Sequence, residues 1–300
     1  MSAHREVRVR VPASSANLGP GFDTLALALG RYDEVLASTA DEGLVVEVTG
    51  EGAGEVPLDE HHLVVRAMRE TFKALGETPP GLRLRCHNQI PHGRGLGSSA
   101  AAAVAGAVAA SALLGRDLEP DRELLLQVTA AMDGHADNAA ASLLGGFVVA
   151  WKYRGNNGDA YGAARLEPHA KLRPVALIPA EESSTAMTRR LLPETVPLSD
   201  AAFTASRTAL GVCAFTSRPE LLFAATEDRL HQPYRRPAYP ASASLVDQLR
   251  EQGVPAVISG AGPTVLALLT GTDLPSDLVG PSFTVTPLQV DRTGAVVHIG

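Results

Sequence analysis

Cysteine and positive charge are both scarce in this sequence of 300 residues. Its two cysteines, Cys86 and Cys213, stand far apart and lack the close spacing of a zinc site. This favours two reduced, buried thiols over a disulfide or a metal centre. The formal net charge is -7, which argues against a nucleic-acid-binding protein, whose affinity rests on clustered lysine and arginine. Any anionic ligand must therefore be held by local donors.

The sequence also lacks a hydrophobic run typical of a membrane span or a signal peptide. Its nearest approach, Ala100–Leu114, is rich in alanine and shorter than the about 20 residues that a membrane helix needs. A buried helix of a soluble protein explains it better. The first thirteen residues alternate charge with valine, which predicts a strand. We therefore expect a cytoplasmic protein that binds neither nucleic acid nor membranes.

The remaining patterns predict an α+β protein. Hydrophobic residues make up 45% of the chain and charged residues 20%, as in ordinary globular proteins, and the length favours two domains. Strands are predicted at 7–11, 34–38, 44–50, 82–88, 146–151, 175–178 and 265–269, and helices at 62–75, 98–114, 122–132, 138–144, 201–215 and 242–251. The polar segment 154–162 predicts a surface hairpin or a crossing between domains. The order of these elements differs from the regular strand–helix repeat of a doubly wound fold.

The most informative segment is the glycine-rich loop PHGRGLGSSA, residues 91–100. Gly93, Gly95 and Gly97 permit backbone conformations in which successive N–H groups surround an anion. The helix that follows adds unpaired N–H groups, and Ser98 and Ser99 add hydroxyls suited to a phosphate oxygen or Mg²⁺. The glycines are not followed by the lysine of a Walker A loop.

This loop resembles the phosphate loop P-x-x-x-G-L-G-S-S-A of the GHMP kinases. Residues 12–23, PASSANLGPGFD, resemble the N-terminal motif in its homoserine kinase form, and residues 259–264, SGAGPT, resemble the C-terminal glycine motif. The resemblance implies a two-domain GHMP kinase fold, with nucleotide and substrate in the cleft between the domains. It implies a ribosomal S5 domain 2-like N-terminal domain at 1–160 and a ferredoxin-like C-terminal domain at 161–300.

The resemblance also implies residues for ATP and Mg²⁺. The ATP ligands would be His62, where relatives often carry asparagine, and the loop residues Pro91, Gly93, Arg94, Gly95, Leu96, Gly97, Ser98 and Ser99. Mg²⁺ would be bound by Ser98 and Asp133. Asp133 replaces the family's glutamate, which retracts the carboxylate by roughly 1.5 Å. Because Mg²⁺ demands short, octahedral contacts, we expect it to be held through water or more weakly.

The substrate implied by the resemblance is L-homoserine, which carries an ammonium and a carboxylate. Asp23, with Asn17 nearby, would pair with the ammonium; a turn carboxylate capping the next segment is the competing interpretation of Asp23. Residues 183–193 resemble the family segment S-T-x-x-x-R-x-x-L-P and place Thr185 and Arg189 on one helical face. Arg235 ends a second family-like segment, DRLHQPYR. Both guanidinium groups suit a carboxylate, which their fork matches with two hydrogen bonds.

A fourth segment, residues 132–138, resembles E-G-H-P-D-N and adds His135 and Asp137 on the substrate side. Asn138 and Thr185 are expected to orient the substrate hydroxyl, because phosphoryl transfer through a loose transition state needs positioning and charge stabilisation more than a strong base. Two alternatives stay open: a GHMP kinase that acts on another alcohol, and a catalytically weak sensor that binds ATP and a metabolite. The family resemblance also implies a homodimer.

Overall fold

The computed structural model describes residues 6–79, 81–155, 158–271 and 273–299. Within these ranges the strands are β1 (Glu6–Asn17), β2 (Gly21–Ala40), β3 (Gly43–Gly50), β4 (Gly81–Asn88), β5 (Phe147–Gly155), β6 (Gly158–Leu166), β7 (Arg173–Pro179), β8 (Ala256–Ile258), β9 (Val265–Leu269), β10 (Phe283–Pro287) and β11 (Val296–Ile299). The helices are α1 (Leu63–Ala74), α2 (Ser98–Leu113), α3 (Leu118–Asp133), α4 (Asp137–Leu144), α5 (Thr185–Arg189), α6 (Leu198–Thr216), α7 (Leu222–Ala225), α8 (Gln232–Arg235) and α9 (Pro240–Glu251).

Strand β2 organises the larger of the two sheets. In the described residues this sheet has the order β11-β1-β2-β4-β3, and β5 joins it through β2 and carries β6 on its other side. The later part of β2 pairs with β4, whereas residues 25–27 pair with β5. One long strand therefore connects two halves of the sheet. Its partner β1 has register shifts after Pro12 and after Ala16, which are irregularities of the kind that bend a strand and redirect its side chains.

Helix α2 is the centre of the first domain. Of its 16 residues, 13 are buried, and most of these are alanine. The small side chains let neighbouring elements approach closely: a Cβ built on Gly106 would lie 2.3 Å from the carbonyl oxygen of Val64 in α1. The sequence-based interpretation of this segment as a buried helix is thus confirmed. Its burial also fixes the position of its N-terminus, and with it the glycine-rich loop that ends there.

The second sheet is antiparallel and has the order β10-β7-β9-β8. Helix α9 covers it, and its core includes Leu177, Leu249 and Val265, which are fully buried. Helix α6 packs back against the first domain, where Phe215 stacks on Phe147 with ring centroids 4.9 Å apart. A buried aromatic contact therefore joins helix α6 to strand β5 of the first sheet.

Each helix and strand expected from the sequence is present, and the α+β class is confirmed. Strands β6, β8, β10 and β11 were not predicted as strands: β8, β10 and β11 are short, and β6 lies within the polar segment 154–162. That segment does form a hairpin of β5 and β6, although Asn156 and Asn157 lie outside the described residues. Strand β2 begins at Gly21 and not at residue 34, because the ladder continues from the end of the first motif.

Two further expectations bear on the architecture. The predicted domain limits, 1–160 and 161–300, stay a prediction; the strand pairing carries β6 of the first sheet to Leu166 and returns β11 to the same sheet. The prediction of two buried thiols is correct for Cys86 and wrong for Cys213, which is exposed. No helix in the described ranges combines the length and apolarity required to cross a membrane.

Close packing of α1 on α2 makes Gly106 sensitive to a single methyl group. We expect Gly106→Ala to lower the free energy of unfolding by about 1–3 kcal/mol, because the new Cβ meets a backbone carbonyl that cannot move freely. Gly211→Ala in helix α6 is the matched control, since its Cβ meets only the end of the Leu25 side chain, at 3.3 Å. Urea unfolding should find the control within about 1 kcal/mol of the wild type. Equal losses in both variants would contradict this account of the α1–α2 contact.

Candidate active site

A cleft of about 340 Å³ gathers residues from all the sequence motifs. The predicted site residues that line it are Asn17, Asp23, Gly93, Gly95, Gly97, Ser98, Ser99, Asp133, His135, Asp137, Asn138, Thr185, Arg189 and Arg235. They come from the end of β1 and the start of β2, the glycine-rich loop and the start of α2, the end of α3 and the start of α4, and helices α5 and α8. Segments more than 200 residues apart in the chain thus meet in one place.

The glycine-rich loop is held by hydrogen bonds from the other two motifs. The backbone N–H of Ser14 donates to the carbonyl of Leu96 at 3.1 Å. The hydroxyl of Ser259 bonds both the carbonyl of Gly95, at 2.6 Å, and the hydroxyl of Ser15, at 2.7 Å. A Cβ on Gly95 would lie 2.3 Å from the carbonyl oxygen of Ser259. The loop therefore requires glycine at this position in order to pack against the C-terminal motif.

Asn138 is held in place by a residue that sequence reasoning missed. The hydroxyl of Ser14 donates to its amide oxygen at 2.9 Å, and Ser142 supports Ser14 from behind at 3.3 Å. A Cβ on Gly97 would lie 2.2 Å from the Ser14 hydroxyl, so Ser14 also packs directly under the loop. With its oxygen engaged, Asn138 keeps its amide nitrogen for a group in the cleft. Ser14 stands in the N-terminal motif, but its sequence position alone did not distinguish it from Ser15.

The turn of the N-terminal motif is strained. Asn17, Leu18 and Asp23 all have positive φ, of 69°, 50° and 52°, a conformation that residues with a Cβ rarely adopt. The side chain of Asn17 stabilises it: its amide nitrogen donates to the carbonyl of Gly260 at 2.8 Å, and its oxygen accepts from the backbone N–H of Asp23 at 3.0 Å. Asn17 therefore shapes the turn that places Asp23, and most of its hydrogen-bonding capacity is used within the protein. Strain of this kind is concentrated at functional sites.

Asp23 and Arg189 form a two-pronged ion pair across the cleft. The two guanidinium nitrogens lie 2.8 and 3.0 Å from the two carboxylate oxygens, and this bond raises the pKa of Arg189. Both side chains remain partly exposed, at 32% for Asp23 and 43% for Arg189. The pair therefore lies where a soluble molecule can reach it.

Arg235 is a buried cation in the same cleft. It is 1% exposed, and burial lowers the pKa of its guanidinium. Within the described residues it has no carboxylate in an ion pair; its one bonded side chain is His231, 3.4 Å away. His231 in turn bonds the carbonyl of Gly19 at 2.7 Å. The ring of Phe22 lies 5.2 Å from the guanidinium carbon of Arg235 and equally far from that of Arg189, so one aromatic ring contacts both cations.

His231 and Phe22 were also missed by the sequence analysis. His231 lies in the segment DRLHQPYR, from which only Arg235 was predicted as a site residue. Phe22 immediately precedes Asp23. Their spacing to Arg235 gives no signal of contact, because the contact depends on α8 packing against the β1–β2 turn. Both act by holding charged groups in position.

Three acidic groups surround His135. Its Nδ1 lies 2.7 Å from the buried carboxylate of Asp137, and its Nε2 lies 3.9 Å from Asp133. Burial lowers the pKa of His135, but the bond to Asp137 and the charges of Asp137, Asp133 and Asp23 outweigh it and raise the pKa to about 9. The imidazole is therefore a cation at neutral pH. Asp133 keeps 37% of its side chain exposed, yet the surrounding protein removes enough water to raise the pKa of its carboxyl.

A second cavity of about 310 Å³ adjoins the first and shares Ser98 and Ser99 with it. Its walls are largely apolar, and His62, which is 5% exposed, lies among them. Nδ1 of His62 has no hydrogen-bond partner in the described structure, and burial, helped by the charge of His92, lowers the pKa of the ring. A neutral imidazole with a free nitrogen in an apolar pocket suits an uncharged heteroaromatic ring. His92 and Val56 line this cavity too, and neither was predicted.

Three of the predicted nucleotide residues place their side chains elsewhere. Leu96 points into the hydrophobic core and is 1% exposed. Arg94 reaches the end of β7, where it bonds the carbonyls of Pro179 and Ala180. Pro91 lines neither cavity. What these residues can offer an anion comes from the loop backbone and not from their side chains.

Two family models match parts of this chain. Residues 62–146 match the model of the GHMP kinases N terminal domain, and residues 215–277 match the GHMP kinases C terminal model. The chain is 52% identical to the homoserine kinase of Streptomyces avermitilis over 97% of this chain and 95% of that protein. It is 56% identical to the homoserine kinase of Rhodococcus erythropolis over 88% and 86% of the two chains.

The chain belongs to the homoserine kinase family of the GHMP kinases. Its fold is similar to the crystal structure of homoserine kinase from Cytophaga hutchinsonii, with a TM-score of 0.84, 27% identity and 99% of both chains covered. The family assignment and the two-domain GHMP kinase fold expected from the sequence are thereby confirmed.

We expect ATP binding to depend on the contact between the glycine-rich loop and the C-terminal motif. We expect Gly95→Ala to raise the KM for ATP at least about tenfold, because the methyl group would displace the loop from Ser259. Gly76→Ala is the control: Gly76 has the same left-handed conformation, with φ 74° against 73°, but an added Cβ meets no atom within 4 Å. Both variants bear the strain of about 1–2 kcal/mol. An unchanged KM for Gly95→Ala in steady-state kinetics would refute the packing argument.

The elevated pKa of His135 predicts a pH dependence of stability in the ligand-free protein. A raised folded-state pKa means that its contribution to stability is complete below the unfolded pKa of about 6.5 and is lost as the pH rises through about 9. Asp137→Asn removes the hydrogen bond and the charge that do most to raise the His135 pKa, so this pKa should fall. NMR titration of the histidine rings measures both values. A His135 pKa that is the same in both proteins would contradict the assigned cause.

Proposed function

We propose that this chain transfers the γ-phosphate of ATP to the side-chain hydroxyl of L-homoserine and so forms O-phospho-L-homoserine, a step of threonine biosynthesis. One observation carries the choice of substrate. The buried guanidinium of Arg235 has no carboxylate partner in the described chain and lies in the cleft beside the Asp23–Arg189 ion pair. A buried cation without a counter-ion is costly, and the carboxylate of an amino acid would compensate it.

The resident ion pair explains why the substrate must carry both charges. Asp23 and Arg189 satisfy each other in the ligand-free cleft. A zwitterion can take over both roles, since its ammonium replaces the guanidinium at Asp23 and its carboxylate binds Arg189 and Arg235. A substrate with only a carboxylate would bring no cation to replace the Arg189 guanidinium at Asp23. This supports an amino acid over mevalonate or a sugar.

GHMP kinases use ATP, generally with Mg²⁺, and the two adjoining cavities support this for the present chain. The apolar cavity with His62 suits the adenine ring. The phosphates would follow Ser98 and Ser99 into the larger cleft, where backbone N–H groups of the loop and the N-terminus of α2 stabilise negative charge. The positive φ of Gly93, Gly95 and Gly97 supports this role.

The oxygen donors of the cleft fit Mg²⁺. Ser98 and Asp133 both line it, and hydroxyl and carboxylate oxygens are the ligands that this ion prefers. When bound, the ion supplies positive charge to neutralise the phosphates. Asp133 is partly exposed, which is compatible with a contact made through water. His135, as a cation, contributes positive charge beside Asp133 and is not expected to bind the metal.

The substrate hydroxyl would be oriented and not ionised. Asn138 is fixed by Ser14 and keeps its amide nitrogen for an oxygen atom in the cleft. Thr185 also lines the cleft, on helix α5. Neither side chain is a base at neutral pH. In a loose transition state, alignment and electrostatic stabilisation supply most of the catalysis. The homodimer that the family resemblance implies stays a prediction, as does the cytoplasmic location expected from the hydropathy of the sequence.

The proposed activity is tested by incubating the purified protein with Mg²⁺–ATP and L-homoserine, L-serine, L-threonine, mevalonate or galactose in turn, and measuring ADP release. We expect strong release with homoserine alone. Release with another alcohol instead would identify a different GHMP kinase. ATP binding without ADP release would favour the sensor alternative. The next experiment would then be Asp133→Glu, which puts back the glutamate that the family has at this position.

Arg235 provides the sharpest test of the substrate clamp. We expect Arg235→Ala to raise the KM for homoserine about 10- to 100-fold, which corresponds to the loss of one or two charge-assisted hydrogen bonds, and to change the KM for ATP much less. Arg236→Ala is the matched control, because Arg236 is the next residue, is exposed and pairs with Asp247. Steady-state kinetics with each substrate varied separately would measure both constants. Equal effects on both KM values would rule out the assignment of Arg235 to the substrate.

A further inference from the structure

The side chain of Arg94 leaves the phosphate loop and attaches it to the second domain. Its Nε donates to the carbonyl of Pro179 at 3.1 Å and one terminal nitrogen donates to that of Ala180 at 2.5 Å. The other terminal nitrogen donates to the carbonyl of His92, at 3.1 Å, and lies 3.0 Å from the carboxylate of Glu182. Only 17% of the Arg94 side chain is exposed. An arginine placed between the loop glycines is therefore fully engaged before any phosphate is bound.

Backbone hydrogen bonds strengthen the same junction. The N–H of Ser183 donates to the carbonyl of Gly93 at 2.9 Å, and the N–H of Thr264 donates to the carbonyl of Arg94 at 3.3 Å. Gly93 and Arg94 are thus held from the second domain by both main chain and side chain. Residues 179–183 run from the last residue of β7 toward α5 and make most of these contacts. We name them the β7–α5 connection.

The β7–α5 connection leads directly into helix α5. Thr185 is the first residue of this helix and Arg189 its last, and the helix is capped by the side chain of Ser184. The helix is short, and Thr188 is its one buried residue. Its Arg189 ion pair with Asp23 is the contact that a zwitterionic substrate must displace. When the substrate is bound, the position of α5 therefore depends on the junction at Arg94.

We propose that Arg94 is a positioning residue that ties the phosphate loop to helix α5, so that a nucleotide that orders the loop also places Thr185 and Arg189 for the amino-acid substrate. This inference rests on the proposed function. Because coupling between two binding sites is reciprocal, homoserine must strengthen nucleotide binding by the same factor. Arg94 acts on the substrate through α5 and does not contact the phosphates.

Coupling is measured by titration calorimetry on the full chain. The dissociation constant of L-homoserine is determined without nucleotide and with saturating Mg²⁺ and a non-hydrolysable ATP analogue, and the converse titration checks reciprocity. We expect the analogue to strengthen homoserine binding at least about fivefold in the wild type, the lower end of typical coupling. Arg94→Gln should reduce this factor to less than twofold while homoserine binding without nucleotide stays within twofold of the wild type.

Three further variants separate coupling from other effects. Arg94→Lys keeps the charge but lacks the fork that reaches Pro179 and Ala180, so it should also lose most of the coupling, and it serves if Arg94→Gln fails to fold. Glu182→Gln removes the ion pair alone and should retain part of the coupling. Arg190→Gln removes the same charge from an exposed arginine beside α5 and should leave the coupling unchanged.

Three results would overturn the proposal. A wild type that binds homoserine equally with and without the analogue has no coupling to transmit. Full coupling in both Arg94 variants would mean that the junction does not carry it. Weaker binding of the analogue alone to Arg94→Gln, with coupling intact, would make Arg94 a phosphate ligand instead. If the wild type binds no homoserine under either condition, the proposed function itself fails, and this inference fails with it.

Discussion

The hydrogen bonds of Ser14 and Ser259 hold the site together. The Ser259 hydroxyl bonds the loop carbonyl of Gly95, whereas Ser14 bonds the loop through its backbone N–H and donates its hydroxyl to Asn138. Both serines can pack this closely against the loop only because Gly95 and Gly97 lack side chains. Because α2 is buried on nearly all sides, the end of the loop that joins this helix is fixed in position. The position of Asn138 depends on Ser14, and the junction with the second domain depends on the loop. A few short hydrogen bonds in a rigid setting therefore determine where both ligands can lie.

Most charged groups in the described cleft are paired with an opposite charge, but one cation is not. Asp23 and Arg189 neutralise one another, and His135 is stabilised as a cation by Asp137 and its neighbours. Arg235 stands apart, since no carboxylate balances it within the described chain. For a protein of net charge -7, such local groups are the means of attracting an anionic ligand. The arrangement favours a molecule that brings one carboxylate and one ammonium.

Local sequence predicted most of the elements because their periodicity reflects burial. The alanine-rich run at 98–114 indicated a buried helix, and α2 occupies 98–113 with nearly every residue inside. Short edge strands such as β8 and β11 were not predicted, because three or four residues are too few to show an alternation of polar and apolar side chains. The site residues were found from motif resemblance, which identifies positions without geometry. It could not show that the Asn17 amide forms its hydrogen bonds within the protein, where it stabilises the turn. Nor could it show that the Arg94 side chain bonds the end of β7.

The sequence by itself determined the family, the glycine-rich loop, the buried central helix and the residues that bear charge in the cleft. These follow from local order: glycines permit the loop, alanines permit the helix, and motif spacing survives in the linear chain. Tertiary structure decided which side chains face which. Ser14, Phe22 and His231 acquire their roles only because strands and helices far apart in sequence pack together, and the pairing of Asp23 with Arg189 spans 166 positions. Contacts at such separation leave no periodic trace, because they depend on how the two sheets and their helices close around the cleft.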